Sequence, residues 1–345
     1  MEKQMNCVVK TAPGKGNLSY TTMPIPSIGP LDVLVKVKAA AICGTDIHIR
    51  DWNDWAEKRV TPPTIIGHEF AGEIVAMGEL VTHVKIGDIV SAETHIACKN
   101  CELCHNGYQH VCYNTKTIGA HRNGCFAEYI AFPAENAFVC DPKLPIEIAS
   151  LMEPLGAAVH AALMFPVAGK TVVVSGCGPI GLMAVAICKL VGAAKIIAVE
   201  PNAARGRMAS DLGAHVIVNP METDVVKTVQ QLSGGHGADI ILEFSGNVPA
   251  IKAVFLYVKP EGKIAALGLP NGEVALNMAE FVYRGITLKG IAGRKMYQTW
   301  EDMKGLLAAG LDISKVITHV LPLAEYEKGL DLMARGKCSK CILIP

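Results

Sequence analysis

Two sets of metal-binding side chains stand in the first half of this sequence, and they differ in kind. Cys98, Cys101, Cys104 and Cys112 lie in one short stretch. Four thiolates at that spacing can wrap a tetrahedral ion and leave no position open, so the set reads as structural zinc. An iron–sulfur cluster takes the same ligands and is the rival reading. Cys43, His68 and Glu69 come from separate segments, and Glu153 stands further on. One thiolate, one imidazole and carboxylates leave room for water or substrate, as a catalytic zinc requires. Thr45 and His48 follow Cys43 closely. A hydroxyl beside a metal ligand can take the proton of a bound alcohol, and a histidine one turn on can pass it to solvent. Zinc would acidify that alcohol and so favour loss of a hydride. Glu153 is expected in the cleft where the first domain crosses into the second, as a further ligand or acting through a water.

A hydride needs an acceptor. Gly176-Cys177-Gly178-Pro179-Ile180-Gly181 is a G-x-G-x-x-G run. It follows the apolar strand-like segment 171–175 and opens a helical stretch, and an acid, Glu200, ends the next strand. Such glycines let backbone approach a pyrophosphate at a helix N-terminus, while the acid takes the ribose hydroxyls. The Glu200 charge would repel a 2′-phosphate, which favours NAD over NADP. Arg205, beyond it, suits stacking on adenine.

The elements that must hold these groups change character along the chain. Segments 33–37, 72–76, 86–90 and 126–130 are short and strand-like, with Gly and Pro between them, and predict an irregular antiparallel β-domain. From about residue 157, strands at 171–175, 195–200, 216–219, 240–244, 263–267 and 287–291 alternate with helices. Continuous apolar strands alternating with helices mean a six-stranded, doubly wound parallel sheet, an α/β fold. The expected division is 1–155 with a C-terminal return at 296–345, and 156–295 as the nucleotide-binding domain.

Composition narrows the function classes. The 345 residues carry 32 basic and 32 acidic side chains, so nothing steers the chain to nucleic acid or an anionic membrane. The apolar stretch 171–194 is broken by glycines, and reads as strand, turn and helix rather than a membrane span. Residues 1–6 lack the apolar run of a signal peptide. The twelve cysteines then suggest a reducing compartment, the cytoplasm. Cys338 and Cys341 have redox-motif spacing, but with no helix following they read as buried strand residues.

Gly67-His68-Glu69-x-x-Gly72-x5-Gly78, with the cysteine cluster and the glycine loop, resembles the zinc-dependent medium-chain alcohol dehydrogenases over essentially the whole chain. Residues 41–46, Trp52, Trp55, 114–116, 124–129, Gly293-Arg294, Thr299-Trp300 and 317–319 are most similar to the branch that oxidises L-threonine. The resemblance implies a GroES-like catalytic domain beside a Rossmann domain. It implies catalytic zinc on Cys43, His68 and Glu69, with Glu153 as a nearby fourth acid. Thr45 and His48 would be the proton relay, and the four clustered cysteines would hold a second zinc. NAD would meet Gly176, Gly178, Ile180, Gly181, Glu200, Arg205, Leu267, Gly268, Leu269, Ile291 and Ala292. The implied reaction takes L-threonine and NAD to 2-amino-3-oxobutanoate and NADH, in a homotetramer. The nearest rival is a polyol or 2,3-butanediol dehydrogenase with the same zinc and NAD. A carboxylate anchor would separate the two, and Arg294 and His95 are the candidates. A non-catalytic zinc or nucleotide-binding protein is the remote alternative, disfavoured because every relay residue and ligand is present.

Overall fold

A computed structural model describes residues 3–345. The chain divides into two compact units, residues 1–153 with 317–345, and residues 154–316.

The first unit is built on antiparallel strands. Asp32–Ala41 lies between Glu69–Met77 and Lys340–Ile344 in a seven-stranded sheet, and also pairs with Tyr129–Pro133. Val33, Val35 and Val37 point into the core in the two-residue rhythm of a strand, where they meet Phe70, Ile74 and Phe132. Strand pairing here is close. A Cβ on Gly72 would sit 2.3 Å from the Lys36 carbonyl oxygen, which explains the glycine in the sequence run noted above. The expected strands at 86–90 and 126–130 begin three residues later, at Ile89–Ala92 and Tyr129–Pro133. Residues 85–88 form a turn instead, with Asp88 N–H on the Lys85 carbonyl.

The second unit is one parallel sheet. Its strand order is Val216–Val218, Lys195–Val199, Thr171–Ser175, Ala238–Glu243, Val258–Ala266, Thr287–Gly290. The inner strands are buried on both faces, as their unbroken apolar runs require. Pro179 opens the helix Pro179–Leu190, where its fixed φ suits the first turn. The sequence pattern misses the helix Val248–Tyr257. It is apolar nearly throughout and carries Pro249, but Asn247 caps it by accepting from Ala250 N–H. No helix among the described residues is long and apolar enough to cross a membrane.

One boundary is corrected. Residues 296–316 were expected with the first domain, yet they belong to the second unit. The helix Gln298–Ala308 buries Trp300 and Met303, and the Met303 methyl packs beside Gly156 near the start of that unit. Burial of these side chains outweighs the lack of any added strand.

Gly72→Ala is expected to lower stability by about 2 kcal/mol, because the new methyl meets backbone that cannot yield. Chemical denaturation checks this, and an unchanged midpoint would show that the two strands can part freely.

Candidate active site

Strand register assembles the mixed donor set. Ala41 pairs with Glu69 and Ala40 with Phe70, so the chain leaving one strand at Cys43 meets the chain entering the other at His68. The Cys43 thiol, a His68 ring nitrogen and a Glu69 carboxylate oxygen lie within 4.8 Å of one another. Cys43 also caps the helix Gly44–Asp51. Asp46, at the third position, returns its carboxylate Oδ2 to the Cys43 N–H at 2.9 Å. Its Oδ1 faces His68 Nδ1 at 3.9 Å. Asp46 is fully buried, and burial pushes its carboxyl up while His68 pulls it down.

Lys340 completes this arrangement. Its buried ammonium pairs with Glu69 Oε2 and donates to the Ile42 carbonyl at 3.1 Å. Glu69 Oε1 is buried with no hydrogen-bond partner among the described residues. Burial drives the Glu69 carboxyl well above the usual range, against the pull of Lys340. Burial alone would lower Lys340, but Glu69 and Cys43 hold it above the ordinary lysine value. A thiol, an imidazole and an unpartnered carboxylate oxygen converging at this range suit zinc, which takes S, N and O ligands.

Thr45 and His48 stand on the same helix, and the Thr45 hydroxyl is 3.7 Å from Cys43 Sγ. His48 is exposed. Glu153 opens the helix Met152–Ala162 and accepts from the Thr94 hydroxyl at 2.9 Å. It stands outside the close group of three. His95 Nδ1 lies 3.2 Å from Glu93 Oε1 with its ring partly exposed. Arg294, in the second unit, is buried with its aliphatic stem against Gly156.

The four clustered cysteines also converge. Cys101 Sγ lies 3.5 Å from Cys104 Sγ and 3.8 Å from Cys112 Sγ. The N–H groups of Cys98 and Asn114 both point at Cys112 Sγ at 3.3 Å. The Asn100 backbone N–H and the Asn114 side chain lower the Cys98 thiol to about 6. Burial and the neighbouring sulfurs push Cys104 up to about 12. This is a donor set primed for a cation that would hold all four as thiolates. Cys338 and Cys341 are buried, Cys341 within the strand Lys340–Ile344 and Cys338 just before it.

In the second unit the glycine loop joins Thr171–Ser175 to the helix Pro179–Leu190. A Cβ on Gly181 would lie 2.0 Å from the Gly176 carbonyl oxygen, whereas one on Gly178 would meet nothing within 4 Å. The loop is thus tight behind and open in front. No side chain caps this helix, which leaves its first N–H groups for a phosphate. Glu200 is buried at the end of the neighbouring strand. Its Oε2 accepts from Cys177 N–H at 2.7 Å and its Oε1 from Asn202 N–H at 2.9 Å. Those bonds fix the carboxylate to the glycine loop and leave further lone pairs for ribose hydroxyls. Arg205, on the helix Ala203–Asp211, has a buried Nε with no hydrogen-bond partner among the described residues. Ile180 lies on the helix Pro179–Leu190. Leu267, Gly268 and Leu269 follow the strand Val258–Ala266, and Ile291 and Ala292 follow Thr287–Gly290.

The sequence reading missed Asp46, Thr94 and Lys340. Asp46 was legible, since its offset from Cys43 is that of a capping box. Lys340 was not, because it is 271 residues from Glu69.

Known proteins resemble this chain in sequence and fold. Residues 29–142 match the alcohol dehydrogenase GroES-like domain, and residues 179–309 match the zinc-binding dehydrogenase domain. An L-threonine 3-dehydrogenase of Caldanaerobacter subterraneus subsp. tengcongensis is 48% identical over 100% of both chains. The chain belongs to the zinc-binding alcohol dehydrogenase family. Another L-threonine 3-dehydrogenase, from Bacillus licheniformis, is 46% identical, again over 100% of both chains. Among solved structures, a zinc-binding dehydrogenase from Sinorhizobium meliloti 1021, bound to NADP, superposes with a TM-score of 0.92 at 29% identity over 100% of each chain. The α/β architecture of a Rossmann sheet and a GroES-like antiparallel unit is the one these relatives have, and the chain is a dehydrogenase.

Lys340→Met removes one partner of a buried pair and strands the other. It is expected to cost about 3 kcal/mol in metal-free protein. Denaturation after chelation measures this. A loss within error of zero would mean that Glu69 carries no buried charge.

Proposed function

We propose that this dehydrogenase oxidises the 3-hydroxyl of L-threonine, with NAD as acceptor, to give 2-amino-3-oxobutanoate. The end-to-end identity with L-threonine 3-dehydrogenases carries the reading. Cys43, His68 and Glu69 would hold a zinc ion, and the four clustered cysteines a second one. Bound in the first site, zinc would supply a Lewis acid that polarises the substrate hydroxyl.

The remaining work falls to protein groups. Asp46 Oδ1 faces His68 Nδ1 at 3.9 Å, so the other ring nitrogen would be the one to hold the metal. The Thr45 hydroxyl, beside Cys43 Sγ, takes the substrate proton, and exposed His48 hands it to solvent. Glu153 holds the Thr94 hydroxyl and stands as a fourth acid, as a direct ligand or through a water. Glu200 accepts from the ribose hydroxyls of the cofactor. Its anchored charge disfavours a 2′-phosphate, so NAD is preferred here although the Sinorhizobium relative carries NADP. Gly176, Gly178, Ile180, Gly181 and Arg205 bind the adenosine and pyrophosphate half. Leu267, Gly268, Leu269, Ile291 and Ala292 bind the other half.

The cytoplasm is the compartment we assign, supported by twelve cysteines, none of which is in a disulfide. A homotetramer is the assembly we assign. It is supported by the edge strand Thr287–Gly290, whose residues are all exposed beside exposed Val282 and Tyr283.

Absorbance of NADH with L-threonine, 2,3-butanediol and sorbitol tests the substrate. L-threonine is expected to be turned over with the highest kcat/KM, and faster with NAD than with NADP. Turnover of the diols without turnover of threonine would overturn the reading.

A further inference from the structure

The second unit contains a buried acid that none of these roles uses. Glu243 ends the strand Ala238–Glu243 and is fully buried. Its Oε1 accepts from the Ser245 N–H at 2.9 Å and from the Ser245 hydroxyl. Its Oε2 is buried with no hydrogen-bond partner among the described residues. Its backbone carbonyl receives the Leu267 and Gly268 N–H groups at 2.9 and 3.0 Å. One residue therefore grips both the loop after its own strand and the loop after the next.

The two loops are pressed together at that point. A Cβ on Gly268 would lie 2.3 Å from Gly246 N and 2.5 Å from Glu243 Oε2. Burial raises the Glu243 carboxyl, and Ser245 with the Gly246 N–H works against that rise. An apolar side chain of similar size would fill the space without the cost of about 1–3 kcal/mol of an unsatisfied buried oxygen. The acid holds a backbone geometry that such packing alone would not specify.

Sheet order says what the geometry is for. The chain runs outward from Thr171–Ser175 to Lys195–Val199 and Val216–Val218, then crosses to Ala238–Glu243 on the other side. A dinucleotide lies across such a switch point. With Glu200 on the adenosine side, the far end of a bound dinucleotide would lie on the Glu243 side of the switch point.

We propose that Glu243 is a positioning residue for the nicotinamide half of the cofactor, setting the backbone of Leu267, Gly268 and Leu269 by locking their loop against Ser245 and Gly246. The proposal rests on the dinucleotide reading given above. Glu243→Gln keeps the shape and one acceptor for Ser245, but it replaces the buried Oε2 acceptor beside Gly268 with an NH2 donor. Gly268→Ala pushes a methyl into the same contact.

The test is calorimetric titration of NADH and of ADP-ribose, which lacks the nicotinamide, into the intact wild-type protein and both variants. Both variants are expected to bind NADH about tenfold more weakly, and ADP-ribose within about twofold of wild type. ADP-ribose binding also reports that the variants are folded. Unchanged NADH affinity in Glu243→Gln overturns the proposal. So does an equal loss for both ligands, which would mark a general structural role. Failure of the wild type to bind either ligand would instead overturn the dinucleotide reading, and the proposal with it.

Discussion

Buried negative charge is the constraint on which the first unit depends. Glu69, Asp46 and Glu153 are all buried around the Cys43 thiol, and Lys340 is the buried ammonium that faces them. Carboxylates are costly to bury without a counter-charge. Lys340 occupies one Glu69 oxygen and leaves the other bare. His68 Nδ1 stands 3.9 Å from Asp46 Oδ1, beyond hydrogen-bond range. A divalent cation would resolve the imbalance, and the last strand of the chain delivers Lys340 to the same donors. The antiparallel sheet is therefore more than a scaffold. Its register brings Cys43 and His68 together, and its final strand brings the lysine.

The second unit solves a different problem with backbone. Glu200 is tied to the glycine loop by the Cys177 N–H, and Glu243 is tied to the following loops by Ser245 and by its own carbonyl. Two buried acids, one on each side of the switch point, thus hold main chain where a dinucleotide would lie. Neither depends on surface ion pairs, which contribute little.

Much of this was legible in the sequence because it is local. The six parallel strands follow from continuous apolar runs, and the cysteine cluster and the glycine loop declare themselves by spacing. Glu200 was readable because it ends the strand after the loop. Other features required the fold. Lys340 lies among apolar strand residues far from its partner, and nothing in its neighbourhood signals a charge pair. The helix Val248–Tyr257 was hidden by Pro249 and by an apolar composition that has no helical face. Residues 296–316 were placed in the wrong unit because strand pattern says nothing about where Trp300 and Met303 find their packing partners.

Zinc stoichiometry tests the central claim that the buried donors of Cys43, His68 and Glu69 form a metal site separate from the cysteine cluster. Elemental analysis of the wild type and of Cys43→Ser, each checked by circular dichroism for a folded state, decides it. The account predicts one zinc for each of the two donor groups in the wild type, and loss of only one of them in the folded variant. Undiminished zinc in the variant, or a folded wild type that retains zinc only at the cysteine cluster, would contradict it.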